Sequence, residues 1–330
     1  MFKDAQRGIL RTLSRWRWAT RLRRITKRAR PRSGPVVFSV MRNEMLRLPA
    51  YLEHYRRLGA VRFIILENQS TDCTREFLAA QDDVDLYTSA GAFIGKAPWL
   101  DHLLRKHGCG RWCIVADADE LLIFPSWPNM SLPSLCCYLE KVGANAVHAI
   151  LLDLYPDLPL GELDYSPGDD YFKRDWYFDA FETLYKTPRH FHLGTGLDYR
   201  FHGGVRERLF GISVCCTKFP LLRYEKGMYL TDGQHYLECG RFAELRAVVC
   251  HFKYLQDFDA HAHEEVERKQ HIGAGPEYQA YTETLSREGR GFRIKGDASV
   301  HLKDCAQLEK LGFMIRPADF GRFVVEGELG

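Results

Sequence analysis

No apolar run in this chain approaches the ~18 to 20 residues that cross a bilayer, so no transmembrane helix is expected. Neither G-x-G-x-x-G nor G-x-x-x-x-G-K-[ST] follows a strand-like stretch, which argues against a dinucleotide dehydrogenase and a P-loop NTPase. Any phosphate must then be handled by side chains and metal. The stretch His261-Ala262-His263-Glu264-Glu265 lacks the H-E-x-x-H order of a metalloprotease. Ten cysteines form no C-x-x-C pair and no disulfide framework, and the adjacent pairs Cys136-Cys137 and Cys215-Cys216 suit buried thiols. With no secretion signal read ahead of them, a reducing cytoplasm is the expected compartment.

What the chain does hold is an uneven charge. Of 46 basic and 43 acidic residues, twelve and one fall within residues 1–33, which leaves 34 against 42 for the rest, a net of −8. In the basic segment Phe2, Ile9, Leu10, Leu13 and Trp16 share one helical side, while Trp18, Leu22 and Ile25 lie nearer the other, so no single amphipathic face forms. Two tryptophans among arginines suit the headgroup region of an anionic membrane, where each nearby basic residue adds ~1 kcal/mol. A solvated tail is the competing reading. Nucleic acid is not expected, because no aromatic-bearing RNA motif follows. Pro31 to Pro35 reads as a linker, so residues 1–35 are expected to form an extension and residues 36–330 one domain.

The densest chemical signal is Arg111 to Pro125, R-W-C-I-V-A-D-A-D-E-L-L-I-F-P. A short apolar strand, Trp112 to Ala116, ends in Asp117, Asp119 and Glu120 before the chain turns apolar again. Three carboxylates between buried segments repel one another and lose hydration unless a cation or a donor cluster sits among them. Asp117 and Asp119, two apart, are expected to face the same way. Oxygen ligands of this kind suit Mg2+ or Mn2+ together with a substrate diphosphate. A strand-end turn with exposed acids is the competing reading.

Upstream, Val36 to Met41 and Arg62 to Leu66 read as strands, Val84 to Thr88 as a third, and Leu48 to Leu58, Thr74 to Ala80 and Lys96 to Lys106 as helices. This alternation predicts parallel strands with crossover helices. In such sheets ligands bind beyond the carboxyl ends of the strands, where Arg42, Asn43, Glu44, Glu67, Asn68 and Asp117 would gather. Ser70, Thr71 and Asp72 serve equally as helix caps or as binding groups.

Ser131 to Lys141 reads as a helix and Ala146 to Tyr155 as a strand. Residues 156–188 are rich in Asp, Pro, Gly and aromatics, either a lid that stacks on sugar or surface structure. Gly203-Gly204-Val205-Arg206-Glu207-Arg208 joins flexible backbone to two guanidiniums, and with Lys218 it suits a diphosphate or a phosphorylated acceptor; an exposed hairpin is the alternative. His235 and His251 are the candidate imidazole ligands, against the alternative of hydrogen-bonded core histidines. Asp257 to Ile272 and the residues from Tyr278 read as helices without chemistry.

The order V-M-R-N-E, L-P-A-Y-L-E-H-Y-R-R-L-G, I-I-L-E-N-Q-S-T-D-C-T and I-V-A-D-A-D-E-L-L resembles bacterial family 2-type glycosyltransferases, in the branch with an R-N-E opening and D-x-D-E. The G-G-V-R-E-R and H-F-K-Y segments are similar to that branch too. The resemblance implies a GT-A-like, Rossmann-like α/β fold, with a mostly parallel central sheet flanked by helices and an irregular second half. Residues 36–125 would bind a nucleotide-sugar donor and residues 126–330 a glycan or lipid-linked acceptor. Donor-binding residues would be Arg42, Asn43, Glu44, Asn68, Asp72, Asp117, Arg206, Arg208 and Lys218. Mn2+ or Mg2+ would be held by Asp117, Asp119 and a late histidine, His251 or His235. The resemblance also implies inversion, for which one carboxylate must take the acceptor proton; Asp232 is the choice, with Glu207 and Glu238 behind it. Glu67-Asn68 stands where many members carry Asp to hold the base or ribose. The expected setting is cell-surface polysaccharide synthesis at the inner membrane face. A non-catalytic glycan- or sugar-nucleotide-binding protein and a nucleotidyltransferase are the rival functions.

Overall fold

Val36–Met41 is buried at every position, as a strand covered on both faces must be. A computed structural model describes residues 22–26, 33–188, 199–231, 234–270, 276–289 and 291–328. In chain order the strands are β1 (Leu22–Arg24), β2 (Val36–Met41), β3 (Arg62–Glu67), β4 (Val84–Ser89), β5 (Trp112–Val115), β6 (Glu120–Ile123), β7 (Ala146–Asp153), β8 (Tyr177–Asp179), β9 (Leu184–Pro188), β10 (Tyr199–Gly203), β11 (Thr217–Arg223), β12 (Tyr229–Thr231), β13 (Tyr236–Glu238), β14 (Phe242–His251) and β15 (Ser299–His301). The helices are α1 (Leu48–Leu58), α2 (Thr74–Ala80), α3 (Lys96–His107), α4 (Leu132–Lys141), α5 (Val205–Phe210), α6 (Phe258–Arg268), α7 (Pro276–Glu288), α8 (Cys305–Lys310) and α9 (Ala318–Glu328). None of the described helices is long and apolar enough to cross a membrane.

Nine strands form the central sheet in the order β1-β4-β3-β2-β5-β11-β7-β14-β6. The run β4-β3-β2-β5 is parallel, as the alternation predicts. β11 is antiparallel to both β5 and β7, and β14 runs parallel to β7. Consequently β2, β5, β7 and β14 all point the same way. Alternate residues of β2 and β3 feed two cores. Val37, Met41, Phe63 and Ile65 pack with α1, α2 and α4, while Phe38, Val40, Ile64 and Leu66 pack with α3 through Trp99 and Leu103. Helices therefore cover both faces of the sheet.

Two expectations change. The sheet does not begin at Val36, because β1, drawn from the basic segment, pairs antiparallel with β4, and Arg24 reaches Asp85 at 2.7 Å. Residues 1–21 and 27–32, including the proposed membrane-facing tryptophans, lie outside the described residues. The aromatic-rich stretch is not a lid of exposed rings either, since Tyr165, Tyr171, Trp176 and Phe178 are buried in the main core. Each ring is worth more against apolar neighbours than in water.

Helix α1 braces the acidic stretch. Tyr51 and Tyr55 hydroxyls donate to the carbonyls of Ala116 and Glu120, and His54 Nε2 donates to Leu122 O at 2.9 Å. Burial pushes the His54 pKa down to about 4, so the ring is neutral in the fold. The unfolded chain takes up that proton near pH 6.5. Stability is therefore full above pH 6.5 and falls as the pH drops toward 4. Melting temperature is expected to fall across this window, and the fall to be smaller in His54→Gln, read by calorimetry at both ends.

Candidate active site

The strands that point the same way deliver their ends to one cleft. Arg42 and Glu44 follow β2, Asp117 follows β5, and His251 ends β14, all on the cleft wall, while Asp153 ends β7 directly behind His251. In the sheet register His251 lies opposite Asp153 on one side and Glu120 on the other, which is how residues about a hundred positions apart become neighbours. His251 Nδ1 meets Asp153 Oδ1 at 2.5 Å and Nε2 meets Asp119 Oδ2 at 2.9 Å. Glu120 pairs with Lys218 at 2.7 Å and Asp117 with Lys96 at 2.6 Å. Arg206 Nε donates to Asp153 Oδ2 at 2.8 Å, and its Nη2 is buried without a hydrogen-bond partner. The cleft offers room for solvent of about 370 Å3, and Arg42, Arg47, Lys253 and Arg268 add positive charge to its wall.

Burial opposes a charged His251, but the carboxylates of Asp119 and Asp153 outweigh it and raise the pKa to about 9. Both carboxyls stay ionised in return. Arg206, then His251, holds Asp153 down at about 2 against its burial, and His251 holds Asp119 well below the usual range. Burial, opposed by Arg47 and supported by Asp119, raises Glu44 to about 8. His235 lines the same cleft, and its Nδ1 donates to Thr217 O at 2.6 Å. Burial and the nearby Lys218 push its pKa well down, so it presents a neutral ring.

Among the described residues, Asp119, Glu120 and His251 hold ligand atoms within 4.8 Å of one another. Two carboxylates and an imidazole fit a divalent cation. Asp153 on Nδ1 is the carboxylate that would fix the ring for ligation through Nε2. Asp117 stands outside this cluster. Residues 117–120 form a turn closed by Glu120 N–H donating to Asp117 O at 3.1 Å, and Asp117, Asp119 and Glu120 all line the cleft.

Other expectations are corrected. Asn43, Asn68 and Asp72 do not line the cleft. Asn43 Oδ1 accepts from Thr71 N–H at 2.7 Å, Asn68 donates to Ser89 O and Gly91 O, and Asp72 accepts from Met45 and Thr74 N–H, so all three lock turns together. Glu67 is likewise committed to Arg75 and Thr88. Arg208 pairs with Asp179, away from the cleft. Glu207 accepts from the Tyr185 hydroxyl at 3.0 Å and Glu238 is buried in β13, and neither lines the cleft. Asp232 lies outside the described residues. The Gly203-Gly204 turn, both residues at positive φ, is what aims Arg206 inward; a Cβ at Gly203 would come within 2.3 Å of Thr183 O. Asp153, Arg47 and Lys96 carried no motif and were missed. Asp153 sits at the end of a strand buried at every position and apolar but for His148, and a lone acid there is the signal that could have found it.

No protein-family model matches the chain, and no curated protein matches it. Among solved structures it is similar to the mannosyltransferase PcManGT from Pyrobaculum calidifontis in complex with GDP-Man and Mn2+, at 22% identity over 44% of this chain and 45% of that one, TM-score 0.28. It is also similar to HddC from Yersinia pseudotuberculosis, at 13% identity over 41% and 70% of the two chains, TM-score 0.26. A third is a 4-diphosphocytidyl-2C-methyl-D-erythritol synthase, at 12% identity over 42% and 69%, TM-score 0.26. The match spans under half of the mannosyltransferase's own length.

Asp153→Asn should weaken Mn2+ binding by ~10- to 100-fold, as loss of the partner that orients a ligating histidine does. Isothermal titration of the folded variant against Mn2+ checks this; an unchanged affinity would remove Asp153 and His251 from the site.

Proposed function

We propose that this protein is a metal-dependent glycosyltransferase that takes a sugar from a nucleotide-sugar donor and places it on a glycan or lipid-linked acceptor. The observation that carries this reading is the meeting of Asp119, Glu120 and His251 with Lys96, Arg206 and Lys218 in one cleft. A cluster of acidic and imidazole ligands beside buried cations suits a group of high negative charge that arrives with a divalent ion. GDP or UDP leaving from a sugar is such a group. Mn2+ or Mg2+, held by Asp119, Glu120 and His251, would supply charge stabilisation to the departing diphosphate.

The chain's own residues do the rest. Arg206 Nη2, buried and unpartnered, offers a ready donor to a phosphate oxygen. Lys96 and Lys218 turn from Asp117 and Glu120 toward the diphosphate when it enters. Glu44, whose buried carboxyl is raised to about 8 and whose Oε2 has no hydrogen-bond partner, is the described cleft carboxyl that would take the acceptor proton once ionised, so activity should rise as the pH approaches 8. Asp232, which lies outside the described residues, remains the alternative base. We infer residues 36–330 to act as one catalytic domain, with inversion at the sugar carbon and the basic extension as a contact for an anionic membrane.

Thermal unfolding with UDP, GDP, CDP and their sugar conjugates, with and without Mn2+, tests the donor site. A ligand at 100 times its dissociation constant stabilises by ~2.7 kcal/mol, and the shift should require both metal and Asp119. No shift with any nucleotide in folded protein would sink the reading. Glu44→Gln should keep that shift and lose ~10²- to 10⁴-fold in kcat; product analysis that finds a nucleotide-sugar made rather than consumed would favour a nucleotidyltransferase.

A further inference from the structure

A second cavity, with room for solvent of about 450 Å3, opens beside α1, and no step proposed for the cleft uses it. Strand β6 separates the two, since Glu120 lines the cleft and the next residue, Leu121, lines this cavity. Its floor is aromatic. Trp127 and Phe172, both half-buried, stand with ring centroids 4.5 Å apart and planes at 53°, and His54 lies 5.8 Å from Phe172. His54 Nε2 carries the hydrogen donated to Leu122 O, so Nδ1 is left as an acceptor in a ring that burial keeps neutral.

The polar lining of this cavity is charged but balanced. Glu53, Asp169 and Asp170 face Arg57, Arg174 and Lys303, a net of zero. Arg57 bonds Glu53 at 2.8 Å and Asp170 at 3.3 Å, and Arg174 bonds Asp169 at 2.6 Å, so donors and acceptors alternate in held positions. An anion or a cation would meet as much repulsion as attraction here. A neutral molecule with an apolar face and many hydroxyls meets partners on every side: rings for its C–H face, carboxylates and guanidiniums for its hydroxyls.

We propose that this cavity binds a neutral glycan segment, one or two sugar units long, with a ring stacked on Trp127. The site holds glycan apart from the cleft and does not depend on the donor reading. Saturation-transfer NMR against a panel of neutral disaccharides and methyl hexosides, using the full chain, tests it. A sugar that binds the native protein and Asp119→Ala alike, with affinity lowered at least tenfold in Trp127→Ala and in the milder Asp170→Asn, supports the site. Binding lost in Asp119→Ala and kept in Trp127→Ala would place the sugar in the cleft and overturn the proposal, as would no binding by any member of the panel. In the last case a nucleotide shift in the same protein would leave the cleft reading standing.

Discussion

The structure of the cleft depends on one arrangement, an imidazole held between two carboxylates. His251 joins Asp119 from the turn after β5 to Asp153 from the end of β7, and Arg206 closes the far side of Asp153. Any one of these groups buried by itself would carry a large desolvation cost. Together they form an alternating chain of charge, from carboxylate to imidazolium to carboxylate to guanidinium. The proton that makes this favourable is the one a cation on Nε2 would displace. The same contacts would then serve as a stable resting state and as a formed ligand set, as expected where metal binding and proton release are linked.

That arrangement constrains the fold around it. β14 must run parallel to β7 and antiparallel to β6 for His251 to sit in register with both Asp153 and Glu120. α1 must hold residues 116–122 from behind, which it does through Tyr51, His54 and Tyr55. The double glycine must turn before α5 so that Arg206, rather than Glu207, enters the cleft. A third core of Phe210, Tyr254, Phe258, Tyr278 and Tyr281 packs α5, α6 and α7 together at the cleft's edge.

The alternating apolar runs from Val36 to Phe124 made the parallel strands and their helices legible, because burial on both faces leaves a plain mark on sequence. The structure brings Asp119, Arg206, Lys218 and His251 to one cleft, and these four were legible as candidates, because charge beside apolar strand is costly and stands out. Their partners were not. Asp153 meets His251 through strand order, and strand order past β5 involves pairings of long sequence separation that local pattern does not encode. Asp117 and Asp119 do share the cleft, but the turn at Ala118 also brings in Glu120, whose ligand atom lies with those of Asp119 and His251. Asn43, Asn68 and Asp72 were assigned to ligand when they bond backbone, an ambiguity inherent in short polar side chains at turns. The aromatics of residues 156–188 were visible as aromatics, but whether they face solvent or core depends on packing against distant Phe252.

The central claim is that Asp119, Glu120 and His251 hold a divalent cation. Anomalous diffraction from crystals grown with Mn2+ tests it most directly. The account predicts one strong peak bonded to the Asp119 carboxylate and His251 Nε2, with His251 Nδ1 still on Asp153. No peak there, with His251 still bridging Asp119 and Asp153, or a peak held by Asp117 in place of His251, would contradict it.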